Sequence, residues 1–418
     1  MYFPVAWRSA VALMALLASP LWASEPLTLR EALRRAEAAH PDLQGFGPER
    51  AGADAGRSLA GRVPMPELSL LLEDALGSGS RSSLDSAQWT LGFSQALELG
   101  GQRSGRLDLA DVRSAALSAS QEQRRRDALA EVAQRFYEAA ADRERLRLAE
   151  EQVELARKTL AAADERVRSA RAPVAERARA QAAMAQAVLE REHAEHEELS
   201  ARVSLAVAMG TPEPDFGELQ ALLFELPPLR SLPELRQRLQ QSPAARARLA
   251  EAAVLDAERR AALAAGGLRP TLTAGARRYE DADDVAAVLG LSLPLFAGRR
   301  AGDEAAIVAA RQGQGEAESR AALLRAEEAL FERYQELGHA REALRLLDTE
   351  VLPARREALK QTQYAYDRGR YGYLELSQVL QELVGARRER LDTAVRYHSL
   401  LAELERITGE NLIEGNIR

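Results

Sequence analysis

The chain has 418 residues, 46% hydrophobic, 28% charged and only 5% aromatic, with no cysteine and a formal net charge of −7. The missing cysteine excludes disulfide scaffolds, thiolate metal sites, cysteine nucleophiles and an acylated amino-terminal cysteine. The acidic balance argues against nucleic acid as a partner, and the wealth of Ala, Arg, Glu and Leu favours long helices over compact domains.

Residues 1–23 read as an export signal peptide. Arg8 precedes an apolar stretch from Ala10 to Ala18, and Leu21-Trp22-Ala23 offers a cleavage point before Ser24. The apolar core is too short to span a bilayer. The longest later apolar run, 285–298, is interrupted by Ser292 and Pro294, so no membrane-spanning helix is expected. The exported chain then belongs in the periplasm, the medium or an outer membrane.

The rest of the chain repeats itself. LRRAEAAHP (33–41) aligns with LRQRLQQSP (235–243), Pro66 with Pro270, LGFSQALELGGQR (91–103) with LGLSLPLFAGRR (289–300), and ARAPVAE (170–176) with GRYGYLE (369–375). All four matches keep an offset of roughly 200 residues, the mark of a tandem duplication. The first repeat is placed at 24–214 and the second at 215–418. Thr28 with Glu31 is a capping-box pattern that starts a helix, which Pro41 interrupts or ends. A second helical stretch follows in each repeat, then a strand pair, at about 65–98 and about 270–296, then a helical hairpin, at about 102–209 and about 299–408. Gly100-Gly101 and Gly266-Gly267 read as turn glycines.

In the strand pairs, Trp89, Leu91, Phe93 and Leu97 alternate with Thr90, Gly92, Ser94 and Ala96. Leu289, Leu291, Leu293 and Leu295 alternate in the same way with Val288, Gly290, Ser292 and Pro294. Their partners are expected near Met65–Leu76 and Thr271–Asp281. One greasy and one small or polar face suits a strand between lipid and water, although the edge of a soluble sandwich would show the same alternation. Single-chain barrels need about eight strands, and lipid tolerates no open sheet edge. Four strands per chain therefore demand that several chains share one barrel.

From Arg106 to Arg171 there is neither Gly nor Pro. As one helix this stretch would extend about 100 Å at 1.5 Å per residue. Leu146, Ala149, Val153, Ala156, Leu160, Ala163, Val167 and Ala170 recur at alternating spacings of three and four, a coiled-coil seam. The chain turns at Pro173 and returns to Met209, before Gly210-Thr211-Pro212. The second rod starts near Ala301, turns at 367–372 and returns to about Thr408. Gly313, Gly315, Gly338 and Pro353 predict bends in it.

The opening LTLREALRRAEAAHPDL, the junction LGFSQALELGGQRSGR and the turn YAYDRGRYGYLELSQVL together resemble the TolC-like outer-membrane efflux family, closest in flavour to CzcC-type channels of heavy-metal efflux. The resemblance covers almost all of residues 25–410. It implies a mainly α protein with a small β part: a homotrimer whose twelve strands form one outer-membrane barrel and whose hairpins continue as an α-helical tunnel through the periplasm. It implies an inner-membrane pump and a periplasmic adaptor as partners, and a passive exit duct without catalysis or cofactor. The substrate class stays open between metal cations, drugs and secreted polypeptides, with the likeness to CzcC-type channels favouring metals.

By the same resemblance, the periplasmic gate falls on Glu375 and Gln378, with Tyr366, Asp367, Arg368 and Arg370 holding the turns closed. Gln378 departs from the family's second acidic position, so a double acidic ring is not expected. Adaptor contacts fall on the turns Ala170, Arg171, Ala172, Pro173 and Gly369, Tyr371, Gly372, together with Arg370. The same turn charges read without the family are solvated. His193 and His196, flanked by Glu192 and Glu197, are a weak candidate for a divalent metal, against the simpler reading of solvated side chains on a helix. No phosphate loop, nucleophile elbow or dinucleotide fingerprint occurs. The rival classes are a periplasmic coiled-coil adaptor, which would carry one hairpin, and a structural rod, which would lack the strands.

Overall fold

The computed structural model describes residues 26–410, and the export signal at 1–23 lies outside them. A short strand β1 (Leu27–Thr28) leads into α1 (Leu29–Ala39), followed by α2 (Phe46–Ala60), strands β2 (Glu67–Glu73) and β3 (Gln88–Ala96), and helices α3 (Gln102–Arg168) and α4 (Val174–Ala208). The same order then recurs as β4 (Leu219–Gln220), α5 (Leu232–Leu239), α6 (Pro243–Ala265), β5 (Thr271–Tyr279), β6 (Asp284–Ser292), a rod made of α7 (Ala297–Leu346) and α8 (Leu352–Asp367), and α9 (Tyr373–Thr408). Pro66 and Pro270 sit directly before β2 and β5, where a strand's first residues tolerate a missing donor.

The caps follow from the sequence with one change. Thr28 Oγ1 accepts from Glu31 N at 3.3 Å, but the Glu31 carboxylate turns to Arg34 and Arg35 instead of back to the cap. Hydrogen bonds from those two guanidinium groups hold its pKa down to about 2. The full reciprocal box forms in the second repeat, at Ser231 and Glu234.

α3 is a single helix of 67 residues, about 100 Å long. Along its seam Leu146, Ala149, Val153 and Ala163 are buried, Ala156, Leu160 and Val167 are half-buried, and Ala170 lies exposed beyond the helix end. The second rod differs from expectation. α7 runs through Gly313, Gly315 and Gly338 unbroken, and the irregularity is a π turn at Leu347–Val351 just ahead of Pro353. A proline donates no backbone hydrogen bond, and the wider turn absorbs that loss.

Strand pairing joins the two repeats in two places. β1 and β4 pair in parallel through Leu27 and Leu219. The larger sheet has the order β2-β3-β5-β6 with every neighbour antiparallel. Gly92 faces Gly275 across the β3–β5 seam, where a Cβ on Gly275 would collide with the Leu91 carbonyl. Gly100 and Gly267, read from the sequence as turn glycines, are also a close backbone approach between repeats, since a Cβ on either would overlap the other's Cα.

The main core is a belt around the helices at mid-length. There α1, α5 and the β1–β4 pair cover α3, α4, α7 and α9, burying Phe136, Leu205, Leu235, Leu330, Leu337, Leu391 and Leu401. Ala133, Ala139, Ala141, Ala206 and Ala394 fill the narrow helix contacts. His398 stacks on Tyr137, with ring centroids 4.1 Å apart, and its Nε2 lies 3.1 Å from the Leu223 carbonyl. Burial lowers its pKa from 6.5 to about 4. The unfolded chain therefore binds more protons between those values, so this contribution is complete above pH 6.5 and is lost as pH falls toward 4. It amounts to about 3 kcal/mol. In thermal unfolding of the detergent-solubilised protein from pH 7.5 to 4.5, the wild type is expected to lose more stability than His398→Phe.

Candidate functional site

The sheet is inside out by the standard of a soluble protein. Paired residues share a face, so Leu68, Leu70 and Leu72 of β2 stand beside Phe93, Leu91 and Trp89 of β3. That row continues through Ala274 and Ala276 of β5 to Leu289 and Ala287 of β6. This apolar row is the exposed one: Leu68 is 75% exposed, Leu289 83% and Leu291 63%. The opposite row carries Ser69, Thr90, Gly92, Thr273 and Gly275, and along β3 and β5 its residues are the less exposed ones. A sheet that curls around its small and polar row while presenting leucines outward suits lipid outside and water inside. Both edge strands, β2 and β6, have one unpaired side. No helix among the described residues is long and apolar enough to cross a membrane.

β6 ends at Ser292, so Leu293 and Leu295 fall in the connection to α7 and not in the expected alternation. There Phe296 adopts φ 65°, the left-handed conformation for which the first repeat uses Gly101 at φ 80°.

At the far end of the rods the two turns share one geometry. Ala170 N donates to Val167 O at 3.0 Å and Arg171 N to Arg166 O at 2.8 Å. Their repeat equivalents are Gly369 N to Tyr366 O at 2.9 Å and Arg370 N to Ala365 O at 2.9 Å. Ala170 pays for a left-handed φ of 53° that Gly369, at 72°, adopts freely. A polar latch ties the turns together. The Tyr366 hydroxyl donates to Glu176 Oε1 at 2.8 Å. Arg166 Nη1 donates to the Tyr366 carbonyl at 2.5 Å and lies 3.4 Å from the Tyr371 carbonyl, and its guanidinium sits 4.3 Å over the Tyr366 ring. Arg166 Nε is 3.2 Å from Glu176 Oε1, an ion-pair contact, since that buried N–H has no aligned acceptor. Burial and then the Glu176 carboxylate push the Tyr366 hydroxyl pKa upward, so it stays a donor. Beneath the latch, Ala163, Ala180, Tyr373 and Leu376 pack with Tyr366 into a separate small core.

Of the gate residues expected from sequence, Tyr366 is in this latch. Asp367, Arg368 and Arg370 are exposed. Gln363 Nε2 donates to Asp367 at 2.9 Å, and Arg368 stacks on Tyr364. Glu375 is exposed and accepts from Gly372 N at 3.1 Å, capping α9, and Gln378 donates to Glu382 at 3.2 Å. Sequence reasoning missed Arg166 and Glu176. The signal was present for Glu176, which the repeat alignment sets opposite Glu375. Of the docking turn, Arg171, Pro173 and Tyr371 are exposed, Ala172 and Gly372 half-buried, and a Cβ on Gly369 would meet nothing within 4 Å.

His193 and His196 stand exposed on α4, with the nearest acid of His193 being Glu197 at 4.0 Å. Among the described residues no group of three or more His, Asp or Glu side chains is arranged to hold a metal ion.

Comparison with known proteins completes the picture. Residues 32–211 match the profile of a family described as outer membrane efflux protein. The cobalt-zinc-cadmium resistance protein CzcC of Cupriavidus metallidurans is 30% identical over 399 residues, covering 93% of this chain and 92% of that protein. The chain belongs to the outer membrane efflux protein family. A second relative, the nickel-cobalt-cadmium resistance protein NccC of Alcaligenes xylosoxydans xylosoxydans, is 29% identical over 73% of this chain and 70% of its own. The crystal structure of the outer membrane protein VceC from Vibrio cholerae shares the fold, with a TM-score of 0.74 at 18% identity over 92% of this chain and 96% of that one. As a member of this family the protein is an efflux channel of the outer membrane that extends into the periplasm.

Proposed function

We propose that three copies of this chain close one twelve-stranded barrel, that their rods form a tunnel through the periplasm, and that the duct exports transition-metal cations delivered by an inner-membrane pump through a periplasmic adaptor. The carrying observation is the four-stranded sheet with a lipid-suited face and two unpaired edges. Such edges cannot persist in hydrocarbon, and β6 of one chain pairing with β2 of the next satisfies them. The metal assignment rests on the resistance proteins that the chain resembles over most of its length. A strain lacking this chain is expected to lose tolerance to cobalt, zinc, cadmium or nickel. Unchanged growth on all four, with sensitivity to drugs instead, overturns the metal reading.

The turns at 170–173 and 369–372 are proposed as the adaptor contact and Glu375 as the periplasmic ring. Threefold symmetry would gather three Glu375 carboxylates, and a carboxylate ring favours cations. Glu375 also caps α9, and the two roles separate by substitution. Glu375→Gln keeps an acceptor for Gly372 N and is expected to lower cation selectivity in planar bilayers with little change in melting. Glu375→Ala is expected to do both, costing about 1 kcal/mol. Wild-type selectivity in both variants rules out the ring.

A further inference from the structure

The inner face of the sheet is not uniform along its length. In the middle layer Ser69, Gly92, Gly275 and Val288 stand side by side, and toward the rods Ser94, Thr273 and Gly290 do so, with Glu67 at the β2 edge of that layer. Toward the loops 74–87 and 280–283, which lie at the end away from the rods, the same face turns to long polar side chains. The next two layers hold Arg277 and then Glu73, Gln88, Tyr279 and Asp284.

Arg277 organises that end. Its guanidinium lies across three strands, with Nε donating to Thr90 Oγ1 at 2.8 Å, Nη1 to Gln88 Oε1 at 3.0 Å and Nη2 to Glu73 Oε2 at 2.8 Å. Gln88 in turn donates to Asp74 at 2.8 Å, and Asp74 pairs with Arg81 in the loop. The side chain of Arg277 keeps 28% exposure and that of Glu73 43%, so both charges still face the water of the lumen. A wall lined by small side chains in its middle thus ends in one fixed cation, Arg277, and two carboxylates per chain, Glu73 bonded to it and Asp284 in the same layer.

We propose that Arg277, balanced by Glu73, sets the charge selectivity of the channel at its outer mouth, as a specificity-determining pair separate from the periplasmic turns. The inference rests on the closed multi-chain barrel proposed above, in which the pair repeats around the axis. Arg277 offsets Glu73 and leaves the Asp284 carboxylate as the excess, so removing Arg277 deepens the negative charge of the mouth and removing Glu73 cancels it. In a water-filled pore, one charge per chain a few ångströms from a passing ion is worth about a twofold or greater change in relative permeability.

The test is the reversal potential of the purified protein in planar bilayers under a potassium chloride gradient. Arg277→Gln is expected to raise the potassium-to-chloride permeability ratio about twofold or more, Glu73→Gln to lower it, and Arg277→Lys to stay near wild type. Opposite shifts from opposite charges are a signature that a merely structural tie would not give. Wild-type ratios in both neutral variants, each checked as an assembled oligomer by heat-modifiable migration, overturn the proposal and leave Arg277 as a wall brace. Shifts of the same sign in both overturn it as well. If the wild type assembles but conducts nothing, the same ratios are read in a Glu176→Ala background that loosens the latch at the turns, and an assembled oligomer silent there too overturns the closed barrel and this inference with it. If Arg277→Gln does not assemble, Glu73→Gln and Arg277→Lys decide alone.

Discussion

Leu289→Arg is expected to keep the protein from assembling in the outer membrane, whereas Thr273→Arg, on the neighbouring strand, leaves assembly intact. Leu289 lies near the middle of β6 in the apolar row, is 83% exposed and stands opposite Ala274. An arginine at the midplane on a lipid-facing position costs about 2–4 kcal/mol per chain, and in a three-chain barrel the cost is incurred three times. Thr273 belongs to the other row and faces Gly290, whose missing side chain leaves room. Its arginine would project into water and narrow the pore. Fractionation with a heat-modifiability gel reads the first variant, and single-channel conductance the second. An assembled, wild-type-like Leu289→Arg oligomer would mean that the row does not face lipid, and the assignment of the two faces would have to be reversed or abandoned.

The two faces were legible in the sequence because strand periodicity is local. Trp89, Leu91 and Phe93 alternate with Thr90, Gly92 and Ser94 whatever the rest of the chain does. The length of α3 was legible for a similar reason, since nothing between Arg106 and Arg171 interrupts a helix. What failed were inferences from single residues. Gly313, Gly315 and Gly338 do not bend α7, because a glycine costs a helix only about 1 kcal/mol, too little to break a helix of 50 residues. Pro353 did leave a mark, but as a π turn one step upstream of it. Leu293 and Leu295 continue the alternation in sequence without the strand, which ends before Pro294. The latch at the turns was hidden for a different reason. Arg166 and Glu176 meet Tyr366 across about 200 positions of chain, and no local pattern reports such a meeting. Even the repeat alignment that pairs Glu176 with Glu375 could not show that one is buried and the other exposed. The difference comes from their surroundings: Tyr366 covers Glu176, and its repeat equivalent is the shorter Val167.

Glu176→Ala is therefore expected to loosen the periplasmic end while the barrel stays intact. Glu176 is 7% exposed, and it accepts from the Tyr366 hydroxyl while neutralising Arg166. Its removal leaves a largely buried guanidinium without its counter-charge and a buried hydroxyl without an acceptor, a cost of about 3–5 kcal/mol. The main core belt, at mid-length of the rods, is untouched, so the loss falls on the turn between α8 and α9 and its packing against α3 and α4. Tyr366→Phe removes only the hydroxyl bond, costs about 1 kcal/mol and keeps the ring beneath Arg166. Glu176→Asp keeps the charge but shortens its reach and should fall between the two. Expected in bilayers is a rise in open probability ordered as wild type, Tyr366→Phe, Glu176→Asp and Glu176→Ala. Amide hydrogen exchange should show faster exchange at 366–373 and no change in the belt. If Glu176→Ala exchanged faster at the turns yet conducted like the wild type, the latch would hold the helices together without controlling flow, and the gate would have to be sought at Glu375 alone.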